Sequence, residues 1–175
     1  MFDKILRRQI GYVPQDVFLF SASIADNIAF GKADASREQI EEFASYAAVH
    51  DDIMGLSEGY DTMVGERGVT LSGGQKQRVS IARALIKQPD LVILDDCLSA
   101  VDTTTEKQIL GYFEDALADK TAIIITHRIY SLLQFDKIIV LDDGQIVEEG
   151  THSELVEMGG YYADLFEKQT AEEQV

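Results

Sequence analysis

Helical and strand-like hydrophobic patterns follow one another along the chain, and their order predicts the architecture. Between Ser36 and Val49, the residues Ile40, Phe43, Ala44 and Ala47 recur at the spacing that places them on one helical face. Ser36 with Gln39 forms a capping box at the start of this helix. A second short helix is expected over His50–Leu56, after which SEGYDT turns the chain away. VGERGVT, Val64–Thr70, reads as a glycine-bounded loop. A third helix is predicted from about Gly73 to Lys87, ahead of Pro89, with Val79, Ala82, Leu85 and Ile86 as its apolar face. Its N-cap is Ser72, which pairs with Gln75 in another capping box.

Beyond Pro89 the pattern changes. LVIL at Leu91–Leu94, TAIII at Thr121–Ile125 and KIIVL at Lys137–Leu141 are short, wholly apolar runs. Such runs mark strands buried on both faces of a parallel sheet. Between the first two lies a helical stretch, Thr103–Leu117, with Ile109, Leu110, Phe113 and Leu117 on one side. Strand, helix, strand of this kind predicts a right-handed βαβ unit. IGYV, ended by Pro14, adds an earlier strand. Asp143-Gly144 is a two-residue turn, so the sheet is expected to end in an antiparallel hairpin. THSELVE starts a last helix, capped by Thr151 or Ser153, and the tail TAEEQV is expected to fray. The fold class is therefore α/β with a mostly parallel sheet.

Composition narrows the function. The 175 residues are 46% hydrophobic, enough for one domain with a true core. No apolar run approaches the roughly 18 residues of a membrane span. The single cysteine, Cys97, excludes an internal disulfide and fits a reducing compartment. A formal charge of −16 argues against nucleic acid or an anionic membrane face as a partner. An anionic ligand has to be held locally, by backbone donors, a metal or a few placed cations.

Candidate donors sit at a helix start. In Leu71–Gln75, LSGGQ, the N–H groups of Gly73, Gly74 and Gln75 are expected to be unpaired at the positive end of the third helix. Glycines let a phosphate approach that end closely. Asp95 and Asp96 follow LVIL, at the carboxyl end of a strand, where ligands bind in parallel sheets. A carboxylate there can hold Mg²⁺ directly or through water, and a second can polarise a water. His127 follows TAIIIT and Gln15 follows IGYVP, which puts both at neighbouring strand ends. Phe18, Leu19 and Phe20 form an aromatic run that is either core or a contact surface.

Taken together, these motifs resemble the nucleotide-binding domain of an exporter-type ATP-binding cassette (ABC) transporter. Gln15 in YVPQDVFLF matches the family's Q-loop glutamine, LSGGQ its signature and LVILDD its Walker B strand. SAVD, Ser99–Asp102, matches the D-loop, and His127 in ITHR the switch histidine. The resemblance covers essentially the whole chain in the family's order. It implies a P-loop NTPase-like three-layer fold, here partial, with a helical subdomain over about 21–88 carrying the signature. Residues 1–20 and 89–150 would form the sheet core, and 151–175 a C-terminal helix and tail.

The resemblance also implies roles. Asp95 would coordinate Mg²⁺ through water, with Gln15 touching the metal and sensing the γ-phosphate, which His127 would contact. Asp96 would stand at the position of the catalytic base. Leu71, Ser72, Gly73, Gly74, Gln75 and Asp102 would serve ATP, with Ser72, Gly74 and Gln75 reaching the γ-phosphate of a nucleotide held by a facing second ATPase domain. Phe18, Leu19 and Phe20 would lie near the coupling helix of a transmembrane domain, and Glu66 near the same interface. The implied activity is ATP hydrolysis driving transport, at the cytoplasmic face of the plasma (inner) membrane.

Two departures from the family pattern matter. The phosphate-cradling sequence G-x-x-x-x-G-K-[S/T] is absent. The one Gly-Lys pair, Gly31-Lys32, has Asp26 where the first glycine belongs and Ala33 where Ser or Thr belongs. The chain is accordingly expected to begin after the P-loop, to expose sheet edge and apolar face, and alone neither to bind ATP tightly nor to hydrolyse it. Asp96 also replaces the usual glutamate, the mark of a degenerate site in a heterodimeric exporter. Two alternatives remain. One is a soluble ABC-type ATPase, disfavoured because Gln15 and Leu71 are joined by a compact helical stretch. The other is a non-catalytic remnant that binds a partner ATPase domain through LSGGQ.

Overall fold

The computed structural model describes Arg7 and residues 9–65, 68–117, 119–130 and 133–173. In chain order it contains β1 (Ile10–Val13), α1 (Ile24–Ala29), α2 (Arg37–Tyr46), α3 (His50–Met54) and a 3-10 turn at Gly59–Asp61. These are followed by α4 (Gly73–Leu85), β2 (Leu91–Asp95), α5 (Thr103–Ala116) and β3 (Thr121–Ile125). The last elements are β4 (Ile138–Asp142), β5 (Gln145–Gly150), α6 (His152–Met158) and α7 (Tyr161–Glu173). They divide into two units, Met1–Ile125 and Thr126–Val175. Glu66 lies outside the described residues.

In the first unit, β1, β2 and β3 form a parallel sheet in that order. The register aligns Val13 with Leu94 and Leu94 with Ile124 on one face, and Tyr12, Ile93 and Ile123 on the other. The first face is core: Val13, Val92 and Leu94 are buried, as are Ile109, Leu110 and Phe113 of α5. The second face is open: Tyr12, Ile123 and Ile125 are each about half exposed. TAIII, apolar after Thr121, is thus open on one side, and among the described residues β3 pairs with β2 alone. An exposed edge and apolar face were expected of this sheet.

The helices of this unit start where polar caps dictate. Ser36 and Ser72 both make complete capping boxes, with Gln39 and Gln75. The short helix α1 is new relative to the hydrophobic pattern, and Ser23, whose hydroxyl accepts the Asp26 N–H, begins it. Its buried Asn27 ties it to the aromatic loop in front and, through Arg83, to α4 behind. Tyr46 of α2 stacks flat on Tyr112 of α5, with ring centroids 4.0 Å apart.

In the second unit, β4 and β5 form an antiparallel hairpin around Asp143 and Gly144. Both turn residues have positive φ, 47° and 75°, the geometry that two-residue hairpin turns favour. Among the described residues the hairpin forms its own two-stranded sheet rather than the end of the parallel one. Thr151, not Ser153, caps α6, completing a box with Glu154. Gly159, in the left-handed region at φ 68°, ends α6. A further helix, α7, follows α6 and includes Thr170–Glu173 of the tail TAEEQV, where fraying was expected; Gln174 and Val175 lie outside the described residues. Glu148 of β5 accepts the N–H groups of Tyr161 and Tyr162 at 2.5 and 3.0 Å, and so caps α7 from the hairpin. Ile129, Leu155 and Tyr162 make the core of this unit.

Candidate functional site

The parallel sheet delivers polar side chains to one edge because three strand ends lie side by side. Asp95 is the last residue of β2 and aligns with Ile125 of β3. It stands on the open face, and the Tyr12 hydroxyl from β1 donates to its Oδ2 at 3.3 Å. Desolvation, then the charge of Asp95 and this hydrogen bond, hold the Tyr12 phenol above its ordinary pKa. Asp96 follows, with φ 45°, in the left-handed region that aspartate tolerates better than most residues. Its N–H donates to the Ile125 carbonyl at 2.8 Å. Gln15, beyond β1, donates its Nε2 to Asp96 Oδ2 at 3.3 Å. The structure therefore brings Gln15, Asp95 and Asp96 together. Cys97 next to them is buried, and burial pushes its thiol up to about 12, which leaves it inert at neutral pH.

His127 belongs to the second unit, where it is exposed. The turn that presents it is closed by Arg128, whose N–H donates to Thr126 Oγ1 at 3.0 Å.

The second group of candidate residues is at the start of α4. Ser72 Oγ accepts the Gln75 N–H at 3.2 Å, and Gln75 Oε1 accepts the Ser72 N–H at 3.0 Å. Gln75 is thus not one of the unpaired donors, since the capping box itself consumes its N–H. Among the described residues no partner is found for the N–H groups of Gly73 and Gly74. The Ser72 hydroxyl still has its hydrogen to donate. At Gly74 a Cβ would meet the Ala100 carbonyl oxygen at 2.6 Å, so glycine is needed there for close packing against the 99–102 loop. At Gly73 the nearest atom would be the Ala100 Cβ at 3.6 Å, ordinary contact.

The loop between Asp96 and α5 joins the two groups. Ser99 Oγ donates to the Asp96 carbonyl at 2.9 Å. The buried Gln77 of α4 donates its Nε2 to Ser99 Oγ at 3.2 Å and accepts the Ala100 N–H at 3.1 Å. Asp102 accepts the Thr105 N–H at 3.0 Å as the N-cap of α5, and this backbone bond holds its carboxyl below the ordinary range. Sequence reading did not single out Gln77 or Tyr12, whose partners lie 22 and 83 residues away.

The donor chemistry fits a hard cation in part. Asp95 and Asp96 supply carboxylate oxygens and Gln15 an amide oxygen, the ligand type Mg²⁺ takes alongside retained waters and substrate phosphates. No cluster of three acidic, histidine or cysteine side chains that could hold a metal alone is found among the described residues.

Further along, Phe18 is two-thirds exposed and Phe20 over a third, packed edge-on at 5.3 Å. The Arg83 guanidinium lies over the Phe20 ring at 5.3 Å and donates to the Phe18 carbonyl at 2.9 Å. A groove of about 230 Å³ runs beside this loop, lined by Val17, Phe18, Leu19, Val64 and Leu71 among others. The aromatic run is thus displayed at the surface from a polar anchor, not used as core.

The model of the ABC transporter family matches residues 2–99. The chain is 46% identical over 169 residues to ATP-binding cassette sub-family B member 6 of Homo sapiens, covering 97% of this chain and 20% of that protein. It is 49% identical over 168 residues to the uncharacterized ABC transporter ATP-binding protein YfiB of Bacillus subtilis, covering 96% of this chain and 29% of that one. A solved structure, described as a bacterial Atm1-family ABC exporter with ATP bound, aligns with a TM-score of 0.85 at 44% identity. That alignment covers 93% of this chain and 28% of the exporter chain. The chain thus spans less than a third of the length of these similar proteins.

Proposed function

Since the chain belongs to the ABC transporter family, we propose that it forms part of the ATP-hydrolysing machinery of an exporter and donates its signature to a nucleotide held by a facing domain. The observation that carries this reading is the LSGGQ helix end, which is fully built, with the Gly73 and Gly74 N–H groups and the Ser72 hydroxyl available. Leu71 is buried and anchors the motif. Backbone donors at a helix start suit a phosphate on physical grounds.

On this reading Asp95 and Gln15 would help hold Mg²⁺, and Asp96 would orient the attacking water. His127, carried by the second unit, would serve the γ-phosphate. Mg²⁺, when bound with ATP, neutralises phosphate charge, which together with positioning is most of the catalysis in phosphoryl transfer. Asp96 carries its carboxylate one methylene short of a glutamate. That displaces it by about 1 Å, and such a displacement costs on the order of 10²-fold. The chain's own strand-end site is therefore the degenerate member of a heterodimeric pair, and Asp102 with the LSGGQ residues serves the partner's competent site.

Phe18, Leu19 and Phe20 are read as the apolar surface for a transmembrane coupling helix, which would put the chain on the cytoplasmic side of the plasma (inner) membrane. No described helix is long and apolar enough to cross a membrane, so this placement depends on a membrane-spanning partner segment. Binding without turnover by the isolated chain is the second reading that the missing phosphate loop favours.

The test is ATP-dependent association. Mixed with an ABC ATPase domain that has its own phosphate loop, the chain is expected to co-elute in MgATP but not in MgADP, and Ser72→Arg is expected to abolish this. Association insensitive to nucleotide would refute the reading.

A further inference from the structure

The backbone N–H, Oε1 and Nε2 of the last LSGGQ residue each already have a partner within the chain. The Gln75 N–H goes to Ser72 Oγ, its Oε1 to the Ser72 N–H, and its Nε2 to Asp52 Oδ1 at 2.9 Å. Asp52 lies on α3, outside every motif named above. Its other oxygen, Oδ2, pairs with Arg78 Nη1 at 2.7 Å, where the Arg78 side chain is only 11% exposed. Arg78 also donates through Nη1 to the Ala48 carbonyl and through Nε to the Gly74 carbonyl at 3.3 Å. One carboxylate thus grips two side chains of the first turns of α4, and one of these reaches back to the second signature glycine.

The grip has physical consequences. Without Asp52, the Gln75 amide loses the bond that fixes its rotamer, and the capping box it closes loosens. Arg78 is then left mostly buried without its counter-charge, a more costly state than an exposed broken pair. Both effects act on the segment whose N–H groups would meet a phosphate.

We infer that Asp52 is the positioning residue of the signature, and that Gln75 serves by holding the cap rather than by touching the nucleotide. Through Gln75 and Arg78, Asp52 sets the angle at which Ser72, Gly73 and Gly74 present their donors. The inference rests on the reading of LSGGQ as the end that contacts nucleotide.

The experiment uses the assembled ATPase, with the full polypeptide carrying these residues paired with its nucleotide-binding partner. It measures kcat, KM for ATP and Tm for Asp52→Asn, Gln75→Glu, their combination, and Ser72→Arg. Asp52→Asn and Gln75→Glu are each expected to raise KM about tenfold while kcat changes less than about threefold, the mark of lost binding geometry. In the combination, the new carboxylate at position 75 still accepts the Ser72 N–H. The new amide at position 52 donates to that carboxylate, which also lies one turn from Arg78. KM is therefore expected to return to within about threefold of the parent, a coupling that neighbours in contact show. A purely structural role would move Tm and would not produce this exchange of donor and acceptor.

Parental KM in Asp52→Asn would overturn the inference. So would a combination no better than Gln75→Glu alone, which would mean that the Gln75 amide touches the nucleotide. Loss of cooperative melting in Asp52→Asn would assign the residue to the fold and overturn it as well. Turnover that survives Ser72→Arg would remove the underlying reading, whereas Ser72→Arg inactive with Asp52→Asn silent would overturn the inference alone.

Discussion

The start of α4 and the carboxyl edge of the parallel sheet face the same chemistry with different degrees of completion. At the helix start, the polar groups around the intended donors are tied to one another within the chain. Ser72 and Gln75 bond each other, Asp52 holds Gln75 and Arg78, and Gly74 packs on Ala100. At the sheet edge, Tyr12 to Asp95 and Gln15 to Asp96 are exposed contacts at 3.3 Å, near the long limit for a hydrogen bond. The face that carries Asp95 is open. The helix start draws its cap from Ser72 and Gln75 and its support from Asp52 and the Ala100 loop. In the proposed reading the chain lends a preorganised half-site at the start of α4, whereas the strand-end groups are more loosely held.

The contrast can be broken most strongly at Gly74. Gly74→Val puts a branched side chain where even a Cβ meets backbone oxygen at 2.6 Å. It should lower partner-stimulated turnover on the order of 10²-fold, as misplacements of this scale do. A phosphate-release rate close to the parent's would mean that α4 does not have to sit against the 99–102 loop.

Asp96→Glu attacks from the other side by lengthening the weak member. Introduced into a full-length exporter that carries this segment and its own phosphate loop, it should raise hydrolysis at the site by roughly tenfold or more, given the cost of a misplaced base. Unchanged single-site turnover would argue that the base lies elsewhere.

Asn27→Ala probes whether the aromatic loop shares the rigidity of α4. Asn27 bonds Phe20 through both N–H and carbonyl, and also Ser23 and Arg83, while 1% exposed. Its loss should cost about 3 kcal/mol, the scale of leaving buried partners unsatisfied, read as a lower urea midpoint. A midpoint within error of the parent would show that the loop is held otherwise.

The smallest effect is expected at Asp102, where the two regions meet. Its backbone bond to Thr105 depresses the folded-state pKa. The stabilisation is thus present above the ordinary carboxylate pKa and is lost as pH falls through the lower folded value. Asp102→Asn keeps an acceptor without the charge. The parent should therefore lose more Tm than the variant between pH 5 and pH 3, and parallel Tm curves would contradict this.

How much of this was legible depended on sequence distance. Ser72 and Gln75 announce their cap because partner and donor are three residues apart, and LVIL and TAIII announce strands because burial runs along them. Asp52 and Arg78 are 26 residues apart, and Arg83 and Asn27 56 apart. No local period marks such pairs, so the supports of both the signature and the aromatic loop were invisible. The short helix α1 could have been found from Ser23 and Asp26, a cap hidden behind a conspicuous aromatic run. The hairpin was legible from Asp143-Gly144. Its separation from the parallel sheet was not, because a turn fixes the pairing of two strands and says nothing of a third. TAIII shows the same limit: an apolar run reports that a strand is suited to burial, not that both of its faces are covered.

The central claim, that the chain lends a signature rather than holding ATP itself, is tested most directly by phosphate release in MgATP. The 175-residue chain is titrated into a P-loop-competent ABC ATPase domain whose own signature serine has been substituted. The account predicts no turnover by the chain alone and a saturable rise as it is added to the partner. Robust release by the chain alone, or no rise on mixing, would contradict it.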